Sequence, residues 1–94
     1  MSLPENRIPT HPGQILLLEF LVPVRLSQAA LARHLGIPVQ RISEIVSGKR
    51  SITTATTWLL AQAFNTTPGF WMRLQINDDL VRYKPTKRIE KLAG

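Results

Sequence analysis

The 94 residues of the chain are 44% hydrophobic and 19% charged, a balance that builds one packed domain with a modest core and excludes a disordered chain. Cysteine is absent, which removes disulfides, thiol catalysis and every cysteine-bearing zinc site, so packing alone has to hold the fold, as in a reducing compartment. Twelve Lys and Arg against six Asp and Glu give a formal charge of +6, which suits a polyanion such as nucleic acid but also an acidic protein or a membrane surface.

Residues 1–10 hold Pro4 and Pro9 with little periodicity and read as an extended arm. Pro12 is a good first helical residue, and the apolar series Ile15, Leu16, Leu18, Phe20 and Val22 predicts a first helix ending near Pro23. Ser27 offers a capping hydroxyl to a short second helix carrying Ala30, Leu31 and Leu35, which Gly36 ends. Pro38 suits the first position of a third helix, in which Ile42, Ile45 and Val46 repeat at helical spacing before Gly48 closes it. Thr53 caps a fourth helix through Phe64, and Thr67-Pro68 opens a fifth to about Arg82. No stretch alternates long enough for a strand. The expectation is an all-α, five-helix domain over residues 11–82, with a basic tail over residues 83–94.

The charge is unevenly spread. Residues 25–50 carry a net +4 and residues 82–94 another +4, while residues 1–24 and 51–81 each carry −1. The run over residues 15–24 superficially resembles the apolar part of a signal peptide, but Glu19 interrupts it and no run reaches the ~18 apolar residues that span a bilayer. The expected location is the cytoplasm, with no membrane partner.

Two short helices joined by a glycine turn, with the small Ala32 where they cross, describe a helix-turn-helix over residues 27–46. On a helical wheel, Ile42, Ile45 and Val46 gather on one side of the second helix. Val39, Gln40, Ser43, Glu44 and Ser47 take the other, with Arg41 on the flank. Reading base edges in a major groove needs such a face of short polar or apolar groups with cations at its borders for phosphates. The same pattern also describes an ordinary solvated helix face.

Catalysis finds no support. The only histidines are His11 and His34, and Ser27 and His34 lie seven residues apart, ~10 Å along a helix and beyond a nucleophile–base hydrogen bond. Asp78 and Asp79 are sequence neighbours, which do not face each other across a site. His11 reads as a capping or packing residue, since no second ligand has metal spacing. The chain is therefore expected to be no enzyme and to need no metal or cofactor. Trp58, Phe64, Phe70, Trp71 and Leu74 read more simply as core than as a partner-binding aromatic patch.

The phrases His11-Pro12-Gly13, Ser27-Gln28-Ala29-Ala30-Leu31-Ala32, Arg41-Ile42-Ser43-Glu44-Ile45, Ser47-Gly48-Lys49-Arg50-Ser51-Ile52-Thr53 and Thr67-Pro68-Gly69-Phe70-Trp71-Met72-Arg73-Leu74-Gln75 resemble, in that order, the HigA (VapI) antitoxin family. The likeness spans residues 11 to about 82. Its most diagnostic parts are His11-Pro12-Gly13, Phe70-Trp71 and Leu74-Gln75. It departs at Gly69, where the family usually has Glu, at Asp78, where Tyr is common, and at Leu59, where a basic residue is frequent. The resemblance implies a compact, lambda-repressor-like, Xre-like domain. By the same likeness the protein would bind double-stranded operator DNA as a homodimer, repress its own operon and neutralise a HigB-like toxin of the RelE-like, mRNA-cleaving kind.

Joined to that resemblance, the exposed positions assign DNA binding to Ser27, Gln28, Val39, Gln40, Arg41, Ser43, Glu44, Lys49 and Arg50. A single short recognition helix reads few base pairs, so a two-fold dimer on a palindromic site is expected, with Trp71, Leu74, Ile76 and Leu80 of the fifth helix as its seam. Toxin capture is expected at the N-terminal arm, around His11, or at the basic tail, because the reading helix lacks outward aromatic anchors. A stand-alone Xre-type repressor without a toxin, and a protein-interaction inhibitor whose helix-turn-helix is only scaffold, are the other readings.

Overall fold

The computed structural model describes residues 11–93, so the expected arm over residues 1–10 lies outside the described residues. Among them, helix α1 (Pro12–Ile15) runs directly into a π-helical segment (Leu16–Leu21), followed by α2 (Gln28–Leu35), α3 (Val39–Val46), α4 (Thr54–Phe64) and α5 (Pro68–Arg82). No strand occurs among the described residues, and residues 83–93 form an exposed, non-helical tail.

Helix ends are set by short-range hydrogen bonds. Ser27 Oγ accepts from the Ala30 backbone N–H, Thr53 Oγ1 from that of Thr56 and Thr67 Oγ1 from that of Phe70, at 3.0, 3.3 and 3.1 Å. Gly36 takes the left-handed conformation at φ 74°, and the Ile37 N–H reaches back 3.0 Å to the Ala32 carbonyl, closing α2. Helix α3 starts at Val39, one residue later than expected, because Pro38 is still extended at φ −63°, ψ 140°.

The first helix departs from the expected 3.6-residue pattern. Val22 N–H donates to Leu17 O, five residues back, so the turn takes more residues than an α-helical turn; beyond it Arg25, left-handed at φ 56°, closes the helix as its N–H donates to Val22 O and the Leu26 N–H to Leu21 O. Burial follows that wider turn: Leu16 and Leu21, five apart, are buried, whereas Leu18 and Val22 face outward.

The core joins Leu16 and Leu21 to Leu31, Ala32, Ile42, Ile45, Ile52, Leu60, Ala61 and Trp71. Phe20 packs into the aromatic cluster where α4 ends and α5 begins, with ring centroids 5.0 Å from Phe64 and 4.9 Å from Trp71, and Phe70 meets Trp71 edge-on at 5.1 Å. Trp58 is not part of this core; it is 56% exposed. The inward stripe of α4 is Thr57, Leu60, Ala61 and Phe64, and position 58 lies beside that stripe rather than on it.

The start of α1 explains the phrase His11-Pro12-Gly13. His11 Nδ1 accepts from the Gly13 N–H at 2.9 Å, which satisfies one of the orphan donors of the first turn. Pro12 is buried at the first helical position, and Gly13 abuts the Ile45 backbone of α3, where a Cβ would collide with the carbonyl. Burial pushes the His11 imidazole below its ordinary value of 6.5 against the pull of the Asp78 carboxylate; Arg82 reinforces the drop and Asp79 opposes it.

Candidate nucleic-acid interface

Helices α2 and α3 pack on each other through buried Leu31, Ala32, Ile42 and Ile45, and this contact fixes which side of α3 meets solvent. Val39 is 46% exposed, and Gln40, Arg41 and Ser43 are exposed beside it. Lys49 and Arg50 are exposed on the loop that follows, beyond Gly48, whose φ of 79° ends α3. At the start of α2, Ser27 is exposed while its hydroxyl oxygen caps the helix, and Gln28 is half-buried. The arrangement offers short side chains along one helix and cations at its borders, a division suited to base edges and phosphates respectively.

Glu44 stands apart from this set. It is half-buried, and its Oε1 accepts from Arg50 Nε at 2.9 Å and pairs with Nη2 at 2.8 Å. Its carbonyl accepts from the backbone N–H groups of Lys49 and Arg50 at 2.8 and 3.2 Å and from the Ser47 hydroxyl at 3.2 Å. The partner of Glu44 is thus a residue six positions on, folded back over the helix end. Gly48 after a polar helix terminus was the signal, because a left-handed residue there returns the chain toward the last turn.

Gln75 on α5 supports the loop from inside. It is 3% exposed, accepts the Ile52 N–H on Oε1 at 2.7 Å and donates from Nε2 to Asp79 Oδ1 at 2.8 Å. Its role was not evident from spacing, since its partner lies 23 residues away.

The four residues expected at a dimer seam separate. Trp71 is 0% exposed, with its indole N–H donated to Thr66 Oγ1 at 2.7 Å, so it belongs to the protomer core and does not reach a partner. Leu74 is half-buried against that core, whereas Ile76 and Leu80 are exposed on the outer side of α5.

A depression between α2 and α4, lined by His34, Leu35, Leu59, Gln62 and Ala63, holds one titratable group and no nucleophile to pair with it. No helix among the described residues is long and apolar enough to cross a membrane.

A helix-turn-helix family model matches residues 17–71. The chain is 36% identical over 89 residues to the helix-turn-helix-type transcriptional regulator YbaQ of Escherichia coli strain K12, covering 95% of this chain and 79% of that protein. It is 41% identical over 83 residues to virulence-associated protein I of Dichelobacter nodosus, covering 85% and 77%. Among solved structures, the Pseudomonas aeruginosa antitoxin HigA with the higBA promoter superposes with a TM-score of 0.77 at 39% identity, covering 79% of this chain and 80% of that one. The exposed third helix, the glycine-turned crossing of α2 and α3 and these likenesses agree: the chain belongs to the HigA (VapI) family of Xre-like helix-turn-helix proteins, a family of regulators rather than enzymes.

Proposed function

We propose that this protein is the antitoxin and autorepressor of a toxin–antitoxin pair. As a homodimer it binds a palindromic operator through α3 and neutralises a HigB-like, RelE-type mRNA-cleaving toxin. One observation carries the reading: the similar HigA was solved with its promoter DNA, and this chain keeps α3 outwardly polar over an apolar inner face. In this reading Gln40, Ser43 and Val39 meet base edges, Arg41 and Lys49 meet phosphates, and Ser27 and Gln28 at the start of α2 touch the backbone. Ile76 and Leu80 form the exposed part of the dimer seam. Toxin binds elsewhere, around His11 or along the basic tail, or on the arm outside the described residues.

A stand-alone repressor is the second reading, favoured by the likeness to YbaQ over 95% of the chain. An adjacent reading frame for a small, basic, RelE-like protein separates the two. The decisive variant is Gln40→Ala with Arg41→Ala, assayed for operator binding and for rescue of cells expressing the neighbouring toxin. Operator binding should vanish while rescue and helix content persist. Retained operator binding overturns the recognition helix, and lost rescue in a folded variant overturns the separation of the two surfaces.

A further inference from the structure

Glu44 is the one acidic residue within the basic stretch over residues 25–50, and it stands on the reading helix itself. A carboxylate there repels phosphate, so its presence calls for a compensating role. The geometry supplies one. Two nitrogens of the Arg50 guanidinium converge on Glu44 Oε1 at 2.8 and 2.9 Å, and the Glu44 carbonyl simultaneously holds the Lys49 and Arg50 backbone N–H groups. Both side chains remain open to water, at 47% for Arg50 and 31% for Glu44, so the pair adds little to folding stability. Its consequence falls on what Arg50 is free to do.

Resting on the DNA-binding reading above, we propose that Glu44 is a specificity-determining residue that holds Arg50 away from the phosphates of duplexes that do not fit α3. Lys49 and Arg50 are adjacent, but they are not equivalent cations. Lys49 has no acidic partner among the described residues and meets any phosphate backbone. Arg50 has to leave Glu44, or reach past it with its remaining N–H groups, before it meets a phosphate. Breaking the pair without replacing it strands a carboxylate beside the DNA, a penalty that every duplex incurs unless its fit to α3 supplies compensating contacts. Discrimination arises here by penalising wrong partners rather than by an added contact to the right one.

The experiment compares wild type, Glu44→Gln, Arg50→Ala and the double variant on two duplexes. One is the sequence immediately upstream of the protein's own gene, the other a scrambled duplex of equal length, each titrated across a salt series. Glu44→Gln should raise affinity for the scrambled duplex severalfold at low salt and steepen the salt dependence by about 0.9 in log K per log salt, the signature of one more phosphate contact. The ratio of upstream to scrambled affinity should fall. In the Arg50→Ala background the same change should give a clearly smaller gain, because it relieves only the repulsion by the bare carboxylate and the cation it would release is gone. An unchanged slope for Glu44→Gln overturns the proposal, as does an equal gain with Arg50 absent, which would mean that Glu44 repels DNA on its own account. Wild type binding neither duplex would overturn the DNA-binding reading itself and this proposal with it, an outcome distinct from the other two. Glu44→Ala repeats the test without an amide and guards against a contact introduced by glutamine.

Discussion

Gln75 on α5 takes the backbone N–H of Ile52 on its side-chain oxygen at 2.7 Å, so the segment leading into α4 hangs from a buried amide 23 residues further along the chain. The same amide donates to Asp79, leaving none of its groups idle. Gln75→Met keeps the volume but strands the Ile52 donor, and should cost about 1–3 kcal/mol in urea unfolding. An unchanged midpoint would mean that water or another acceptor serves Ile52.

Two glycines at equivalent early positions of their helices should respond oppositely to alanine. At Gly13 the new Cβ meets the Ile45 backbone, which cannot swing aside, and the clash outweighs the gain in helix propensity of at most about 1 kcal/mol. Gly13→Ala should therefore destabilise by about 2 kcal/mol. At Gly69 the nearest atom is the flexible end of Arg73 at 3.2 Å, so Gly69→Ala should be neutral or stabilising by a few tenths of a kcal/mol. Equal thermal shifts for the two variants would remove the close crossing of α1 and α3 from the account.

His11 caps α1 as a neutral acceptor, and burial holds its folded pKa below 6.5. Its contribution to stability is fully present above the unfolded value and is lost as pH falls from 6.5 toward the lower folded value, since the unfolded chain takes up the proton first. Chemical denaturation across that window should show a falling midpoint in wild type. His11→Asn keeps a capping acceptor without a titrating ring and should flatten the dependence relative to wild type. Parallel curves for the two proteins would assign the pH response to other groups.

Binding to the upstream duplex should weaken steeply with salt, and Lys49→Ala should lower affinity for all sequences while reducing the slope by about 0.9. Gln40→Ala should instead relax discrimination at a single base pair by about 1–3 kcal/mol. Filter binding on a panel of single-base operator variants separates these effects, and a uniform loss for Gln40→Ala would make it a backbone contact.

Sedimentation tests the seam. Ile76→Asp combined with Leu80→Asp places charges on two exposed apolar positions of α5 that the protomer core does not use, so helix content should persist while dimers dissociate at micromolar concentration. Trp71→Ala should unfold the protomer instead, at a cost of about 3–5 kcal/mol, because its side chain lies wholly inside. A double variant that remains dimeric would exclude this face.

Much of the architecture is legible residue by residue because it is written in local interactions. The hydroxyls of Ser27, Thr53 and Thr67 each cap a helix through a donor three residues ahead, and Gly36 and Gly48 end helices by adopting a conformation that a Cβ disfavours. The α2–turn–α3 unit and the polar outer face of α3 follow from those signals and from the apolar spacing of Ile42, Ile45 and Val46.

What a face touches is a different matter, because it depends on which distant helix lies over it. The apolar series from Ile15 to Val22 announces a helix without saying which members it buries, and in the π-helical Leu16–Leu21 segment Leu16 and Leu21 are enclosed while Leu18 and Val22 stay exposed. Aromatic spacing grouped Trp58 and Trp71 alike with the core, yet the packing of α4 and α5 encloses only Trp71, which takes it away from the expected seam, and leaves Trp58 exposed. Gly13 against Ile45, Glu44 against Arg50 and Ile52 on Gln75 are likewise decided by tertiary structure: each pair meets only when a helix crossing or a returning loop brings its members together. Local capping is readable within one turn of chain, whereas burial, ion pairing and close approach are properties of the assembled core.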